Sequence, residues 1–320
     1  MKIRMLTAAD VRSALSMTEA INGVERAYAQ LSAGKASMPL RSRFHTEKGV
    51  TLLMPAHLHD SGEFAVKIVS VYADNPNLGL PTVAATVLVL DPQTGMPLAL
   101  MEGDSLTALR TGAAGGVAAR YLARTEAGSV ALFGAGVQAR AQLEAVMAVR
   151  RIERVWIVDP VESAAQRLAD DISGWPDAPA VTLADSPRSA VAQADIVLAA
   201  TTTTTPLFDG NDLKPGAHVT GVGSFTPQMQ EIDVNTIRRA RVVVDQRDAA
   251  MAEAGDIIIG KAVIDAEIGA IINGDQPGRQ NDEEITFFKS VGLAVQDAVA
   301  AGAVLKAAEE KGLGTVIDMS

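Results

Sequence analysis

The segment Gly134-Ala135-Gly136-Val137-Gln138-Ala139 carries the clearest chemical signal in the sequence. It is a G-x-G-x-x-A turn that follows the apolar run 130–133 directly and opens an expected helix over 139–149. Glycine at 134 permits a tight turn, glycine at 136 lets the backbone approach a pyrophosphate, and Ala139 keeps helix and strand close. The helix N-terminus then faces the phosphate charge. Asp159 ends the next apolar run, about 20 residues beyond Ala139, where a carboxylate accepts hydrogen bonds from adenosine ribose hydroxyls. Together these point to a bound NADH or NADPH. Asp159 would repel a 2′-phosphate and leans to NADH, with Arg140 and Arg151 as the cations that could reverse the preference. The plainer alternative is a ligand-free turn, with Asp159 capping the next helix.

A dinucleotide protein that handles small acids needs cations held out of water. Arg41 follows Met38-Pro39-Leu40, Lys67 interrupts the apolar run 64–69, and Arg110 is the one charge between Ser105 and Ala118. Each has a plainer reading. Lys67 could be a gatekeeper on an edge strand, pointing to solvent. Arg110 could be a snorkelling side chain or a structural ion pair. Arg41 and Arg43 lie two apart, and pattern alone does not separate them. His57 and His59 have a weak ligand-like spacing, and no metal is expected. None of Tyr28, Tyr72 and Tyr121 has a lysine four residues on, and neither a G-x-S-x-G turn nor a phosphate-binding P-loop occurs. What remains is redox chemistry, with acid–base and binding groups supplied from elsewhere in the chain.

Two styles of element must position these groups. Before about residue 105, capped helices begin at Thr7 and at about Met17, the second running to about Ala33 and stopped by Gly34. Strand-like runs follow at 50–54, 64–72, 82–90 and 97–101, divided by Pro, Gly and Asn turns, which suggests an antiparallel or mixed sheet. After a small-residue helix at 105–123, short apolar strands alternate with helices (130–133, 155–158, 181–183, 196–199, 219–222, 242–244), the pattern of a buried parallel sheet. A last helix, about 291–311, is long enough to fold back onto the first domain. The expected division is 1–118 with 297–320, and 119–296. The length of 320 residues fits two ordinary domains, and 48% hydrophobic with 21% charged residues is a globular composition. Cysteine is absent, so no disulfide or thiolate chemistry is possible. The N-terminus does not read as a signal peptide, no apolar stretch is long enough to span a membrane, and a net charge of −10 argues against nucleic acid or an anionic membrane as partner. A cytoplasmic protein of small-molecule chemistry is expected.

The chain resembles the ornithine cyclodeaminase/μ-crystallin family over essentially its whole length. The likeness is carried by Met38-Pro39-Leu40-Arg41, Val66-Lys67, Leu106-Thr107-Ala108-Leu109-Arg110-Thr111-Gly112-Ala113, the Gly134–Ala139 turn, Gly223-Ser224-Phe225-Thr226-Pro227-Gln228-Met229-Gln230-Glu231-Ile232-Asp233 and Lys289-Ser290-Val291-Gly292-Leu293-Ala294. It implies an α/β fold: a Rossmann dinucleotide domain plus a mixed α/β substrate domain that usually dimerises through its sheet. It implies that Arg41 and Lys67 hold a substrate carboxylate, with Lys67 near the reacting carbon, and that Ser290 and Val291 line the pocket. It places Thr82, Arg110, Gly134, Gly136, Val137, Gln138, Asp159 and Thr201 on the nucleotide, with Val222, Gly223 and Ser224 toward the nicotinamide.

One departure separates the activities of the family. Its cyclodeaminases and alanine dehydrogenases use an Asp two residues before the Pro of this late glycine segment as acid/base, and here that position is Phe225. Phenylalanine moves no proton, whereas a cyclic imine can arrive with its nitrogen protonated and needs little more than hydride, with Ser224 or a water to relay the final proton. The resemblance therefore implies reduction of a cyclic 2-imino acid, Δ1-pyrroline-2-carboxylate or Δ1-piperideine-2-carboxylate, to L-proline or L-pipecolate. Open beside it are an ornithine cyclodeaminase, a dehydrogenase of alanine, arginine or N-alkyl amino acids, and a dinucleotide-dependent binding protein without turnover.

Overall fold

Period-two patterning in the first hundred residues builds a sheet with one buried face. A computed structural model describes residues 1–319 and divides the chain into two units: Met1–Arg110 with the segment from Leu293 onward, and Thr111–Gly292. The first unit opens with β1 (Lys2–Leu6), α1 (Ala8–Ala14) and α2 (Met17–Ser32). Thr7 and Asp10 form the capping box of α1, as the sequence suggested, and Ser16 with Glu19 does the same for α2. Next come β2 (Ala36–Ser37), β3 (Ser42–His45), β4 (Val50–Leu58), β5 (Phe64–Val71), β6 (Val83–Leu90) and β7 (Pro97–Glu102). From β4 to β7 the strands form an antiparallel meander, and β1 joins β7 in parallel, so the sheet is mixed. Leu52, Met54, Ala65, Val87 and Ala99 lie on the buried face. Lys67 shares it, aligned with Met54 on one side and Val87 on the other. β5 is therefore an interior strand, and the edge-gatekeeper reading of Lys67 is wrong. The helix α3 (Gly103–Leu122) follows, and the division between units falls inside it.

The second unit is an eight-stranded parallel sheet. Its strands are β8 (Ser129–Phe133), β9 (Arg154–Val158), β10 (Ala180–Leu183), β11 (Ile196–Ala199), β12 (His218–Gly221), β13 (Ala240–Val244), β14 (Ala266–Glu267) and β15 (Ile285–Lys289). They are ordered β10-β9-β8-β11-β12-β15-β13-β14. The connecting helices are α4 (Val137–Met147), α5 (Glu162–Ser173), α6 (Pro187–Val191), α7 (Val234–Arg239), α8 (Arg247–Glu253), α9 (Gly255–Gly260) and α10 (Ile268–Ile272). The winding reverses at β8, whose neighbours are β9 and β11, and this is the switch point at which Rossmann sheets bind dinucleotides. β15 inserts between β12 and β13, a strand that the sequence pattern did not reveal. The small residues of the Arg110–Ala114 motif also pack helices. A Cβ on Gly112 would lie 2.5 Å from the Ala141 carbonyl oxygen of α4, and one on Gly115 would strike Gln142.

The chain then returns to the first unit. α11 (Ala294–Lys311) packs on α2, β4 and β5, and β16 (Thr315–Asp318) pairs antiparallel with β1. The long last helix thus folds back as its length suggested. No helix among the described residues is long and apolar enough to cross a membrane.

Candidate active site

In the first unit the chemistry centres on Lys67, 2% exposed and placed by the alternation of β5 on the buried face. Its Nζ lies 2.8 Å from Asp297, in the first turn of α11. Arg110 Nε donates to the same carboxylate at 2.9 Å, and its Nη1 donates to Gln296 Oε1 at 3.1 Å. Gln296 Nε2 in turn donates to the Tyr28 hydroxyl of α2. The ion-pair reading of Arg110 thus accounts for its Nε, while Nη1 serves the neutral amide of Gln296.

Two buried cations face one buried carboxylate here, and the half-buried Arg41 adds a third positive charge felt by Lys67. Burial, then Arg110, push the Lys67 ammonium down to about 7, against the pull of Asp297; Arg41 adds a smaller push. An added anion would relieve the repulsion between Lys67 and Arg110, which share the single buried carboxylate of Asp297. Arg43, the alternative to Arg41, lies exposed on β3 opposite Leu52. Thr82 is exposed just before β6, its carbonyl accepting from Tyr72 N–H.

Asp297 escaped the sequence reading, although the signal that exposed Arg110 applies to it. It is the single charge in the apolar stretch 291–305. The His57 and His59 rings lie 5.2 Å apart and tilted by 55°, with His59 Nε2 bonded to the Ser37 hydroxyl, and no cluster of three metal-binding side chains occurs among the described residues. The fully buried His218, between the Thr220 and Thr286 hydroxyls in the second unit, is held neutral by burial, its pKa pushed down to about 3.

In the second unit the glycine turn has the form that a pyrophosphate requires. Gly134 adopts φ +97°, and a Cβ there would sit 2.7 Å from the Ala200 carbonyl oxygen. Gly136 caps α4, and a Cβ on it would meet nothing within 4 Å, so the approach to the helix N-terminus is open. Val137 is 70% exposed beside it, and Gln138 Oε1 is buried without a hydrogen-bond partner. Asp159 stands at the end of β9 in a cleft that also includes Asp185, Ser186 and Thr201. Its Oδ1 accepts from Val161 N–H at 2.8 Å, a turn just ahead of α5; the N-cap of α5 is Val161, with no side-chain cap, so Asp159 is not its cap. Arg140 is engaged with Asp171 and stacks on Trp175, and Arg151 pairs loosely with Glu153. These features fit a dinucleotide, and they leave Asp159 without a cation that would favour a 2′-phosphate.

Beyond the switch point, the ends of β11, β12, β13 and β15 carry carboxylates that the sequence reading passed over. Glu231 accepts from Thr201 and from the N–H groups of Gly223 and Ser224. Asp256 accepts from Glu231 and Ile232 N–H and pairs with Lys289 at 3.1 Å, both side chains fully buried. Asp245 accepts from the Ser290 hydroxyl and from Val291 and Gly292 N–H. Burial pushes the Glu231 and Asp245 carboxyls up, opposed for Glu231 by Lys289 and for Asp245 by the Ser290 hydroxyl. The Ser224 hydroxyl donates to the Met229 carbonyl and accepts from Asp256 N–H, so its proton is committed and the relay expected of it loses support. Val222 is half-buried and Phe225 39% exposed beside it.

The ornithine cyclodeaminase/mu-crystallin family matches residues 1–312. A Δ1-pyrroline-2-carboxylate reductase of Bacillus cereus is 40% identical over 98% of this chain and 99% of its own. The Thermococcus litoralis Δ1-pyrroline-2-carboxylate reductase, solved with NADH and L-proline, superposes with a TM-score of 0.93 at 42% identity, covering 98% of this chain and 99% of that one. An archaeal alanine dehydrogenase dimer with bound NAD superposes at 0.94 with 36% identity over both whole chains.

Proposed function

The chain belongs to the ornithine cyclodeaminase/mu-crystallin family, and we propose that it is an NADH-dependent reductase converting a cyclic 2-imino acid, Δ1-pyrroline-2-carboxylate or Δ1-piperideine-2-carboxylate, to L-proline or L-pipecolate. The observation that carries this reading is the buried Lys67, which shares one carboxylate with a second buried cation, Arg110; a glycine turn fit for a dinucleotide, and a phenylalanine at the position of the family's acid/base, support it. Lys67 and Arg41 hold the carboxylate, and Asp297 with Arg110 keeps the ammonium in place. Ser290 and Val291 line the pocket, their backbone set by Asp245. When bound, the reduced nicotinamide supplies a hydride. The iminium carbon accepts it, the C=N bond becomes a single bond, and the electron pair ends on nitrogen, so a substrate that arrives protonated needs no further acid.

Gly134, Gly136, Val137 and Gln138 hold the pyrophosphate side, Asp159 the adenosine ribose, and Thr201, Val222, Gly223 and Ser224 the nicotinamide side. Thr82 and Arg110 are assigned to the nucleotide by family likeness, although two Arg110 donors already serve α11. Ornithine deamination and alanine oxidation require a group that takes a proton from an amine. Phe225 offers none, and the Ser224 hydroxyl is committed. The same reading includes a cytoplasmic homodimer. Phe44, Ile68 and Leu98, exposed on sheet positions opposite in sense to the buried set, give an apolar face for a second copy.

The test is oxidation of NADH and NADPH with pyrroline-2-carboxylate, piperideine-2-carboxylate, and pyruvate with ammonia, side by side. Turnover of a cyclic imine with NADH preferred is expected. Proline and ammonia formed from ornithine and NAD⁺ without net NADH would replace this reading by a cyclodeaminase, and NADH binding without turnover of any acid by a binding protein.

A further inference from the structure

The fully buried Glu231 lies between the ends of two neighbouring strands of the parallel sheet and divides its two oxygens between them. Oε1 accepts from the Thr201 N–H at 2.6 Å and the Thr201 hydroxyl at 2.8 Å, just after β11. Oε2 accepts from the N–H groups of Gly223 at 2.7 Å and Ser224 at 3.2 Å, just after β12. The two loops touch backbone to backbone: a Cβ on Gly223 would lie 2.0 Å from the Thr201 carbonyl oxygen. Glu231 is itself fixed, because its N–H and that of Ile232 donate to Asp256, which pairs with the buried Lys289 at the end of β15. Every donor that a carboxylate can take is supplied, and Thr201, one of the two sides it holds, also borders the cleft at Asp159.

In a doubly wound sheet the two halves of a dinucleotide lie on either side of the switch point, so the loop after β12 faces the nicotinamide half, while the loop after β11, packed on the glycine turn, borders both halves. We propose that Glu231 is a positioning residue, a clamp that holds Thr201 and Gly223–Ser224 in the one arrangement that receives the nicotinamide half of the cofactor. The inference rests on the dinucleotide reading above.

The experiment measures binding to the purified protein by calorimetry with two probes, NADH and ADP-ribose, which lacks the nicotinamide. Glu231→Gln keeps the size and replaces one acceptor oxygen with an amine that faces donors. It is expected to weaken NADH by about tenfold or more. ADP-ribose, which lacks the group that Gly223–Ser224 faces, should lose severalfold less than NADH. Thr201→Val removes only the hydroxyl donor and should weaken NADH by less than Glu231→Gln does, again with the smaller loss for ADP-ribose. Equal loss of both probes in both variants would make Glu231 a general support of the fold and overturn the proposal, as would unchanged NADH binding in Glu231→Gln. If Glu231→Gln does not fold, Thr201→Val decides alone by the same criterion. A wild-type protein that binds neither probe would overturn the dinucleotide reading itself, and is distinguishable from these outcomes.

Discussion

The two units use buried charge in opposite ways. In the first, one carboxylate, Asp297, is set against the cations Lys67 and Arg110, with Arg41 adding to the positive field. In the second, three carboxylates, Glu231, Asp245 and Asp256, are satisfied mainly by backbone N–H groups, with one lysine among them. A cluster with cations in excess is unfinished without an anion. Carboxylates saturated by main-chain donors are finished, and their effect is to hold loops still. On the reading proposed above, the contrast sets a place where a charge is received, at Lys67, against one where loops are held, around Glu231.

The largest break of that contrast is Lys67→Ala. Removing one partner of a buried, hydrogen-bonded charge pair costs about 2–5 kcal/mol, so kcat/KM for the imino acid should fall by about a hundredfold or more. NADH affinity should fall far less, because the glycine turn and Asp159 are untouched. Wild-type kcat/KM retained by this variant would sink the carboxylate-holding role.

The pH dependence comes next. Lys67 holds an anion only while protonated, and its pKa lies at about 7, so kcat/KM is highest below that value and falls as pH rises through it. A bound carboxylate favours the charged lysine, so the same limb in kcat lies at higher pH. Asp297→Asn removes the pull that opposes burial and Arg110, so the limb in kcat/KM moves to lower pH. That shift also separates Lys67 from the substrate's own nitrogen, whose titration no substitution in the protein alters. A pH profile identical in Asp297→Asn and wild type would assign the limb to the imine.

How far the sequence showed these regions follows the same division. Lys67 and Arg110 stood out because a charge inside an apolar run has few reasons to be there, and the glycine turn because its spacing is set by backbone geometry. Asp297 carried an equal signal in 291–305 and was overlooked. Glu231, Asp245 and Asp256 gave none. They lie in a loop, after a strand end and in the first turn of α9, where an acidic residue reads as solvated or as an ordinary helix start, and the sheet order that gathers them depends on β15 inserting between β12 and β13. Fold class and alternation were local and legible; the interior place of β5 and the floor under the loops were not, because both depend on pairings distant in sequence.

A smaller effect sharpens the second unit. Gly136 has φ −88°, which alanine adopts freely, and its Cβ would meet no protein atom, so Gly136→Ala should leave the thermal midpoint unchanged. The methyl group would instead occupy the approach of the pyrophosphate, and NADH should bind about tenfold more weakly. Unchanged affinity would mean that the turn does not seat the cofactor.

The smallest effect is expected at Phe225. It follows the clamped Gly223–Ser224 pair, is 39% exposed, and its N–H donates to the Gly223 carbonyl, a bond that any non-proline residue preserves. Nothing titrates in its side chain. If the imine arrives protonated, Phe225→Ala removes only contact area, and kcat should stay within about threefold of wild type, a surface-scale change of well under 1 kcal/mol. Phe225→Asp makes the question sharper by placing a carboxylate where a proton could be taken from an amine. Gain of L-alanine or ornithine turnover in that variant, with imine reduction retained, would show that this one position divides the activities of the family while both charged regions stay as they are. A large loss of imine reduction in Phe225→Ala would instead put the ring against the substrate and make the second unit a partner in recognition, ending the separation drawn above.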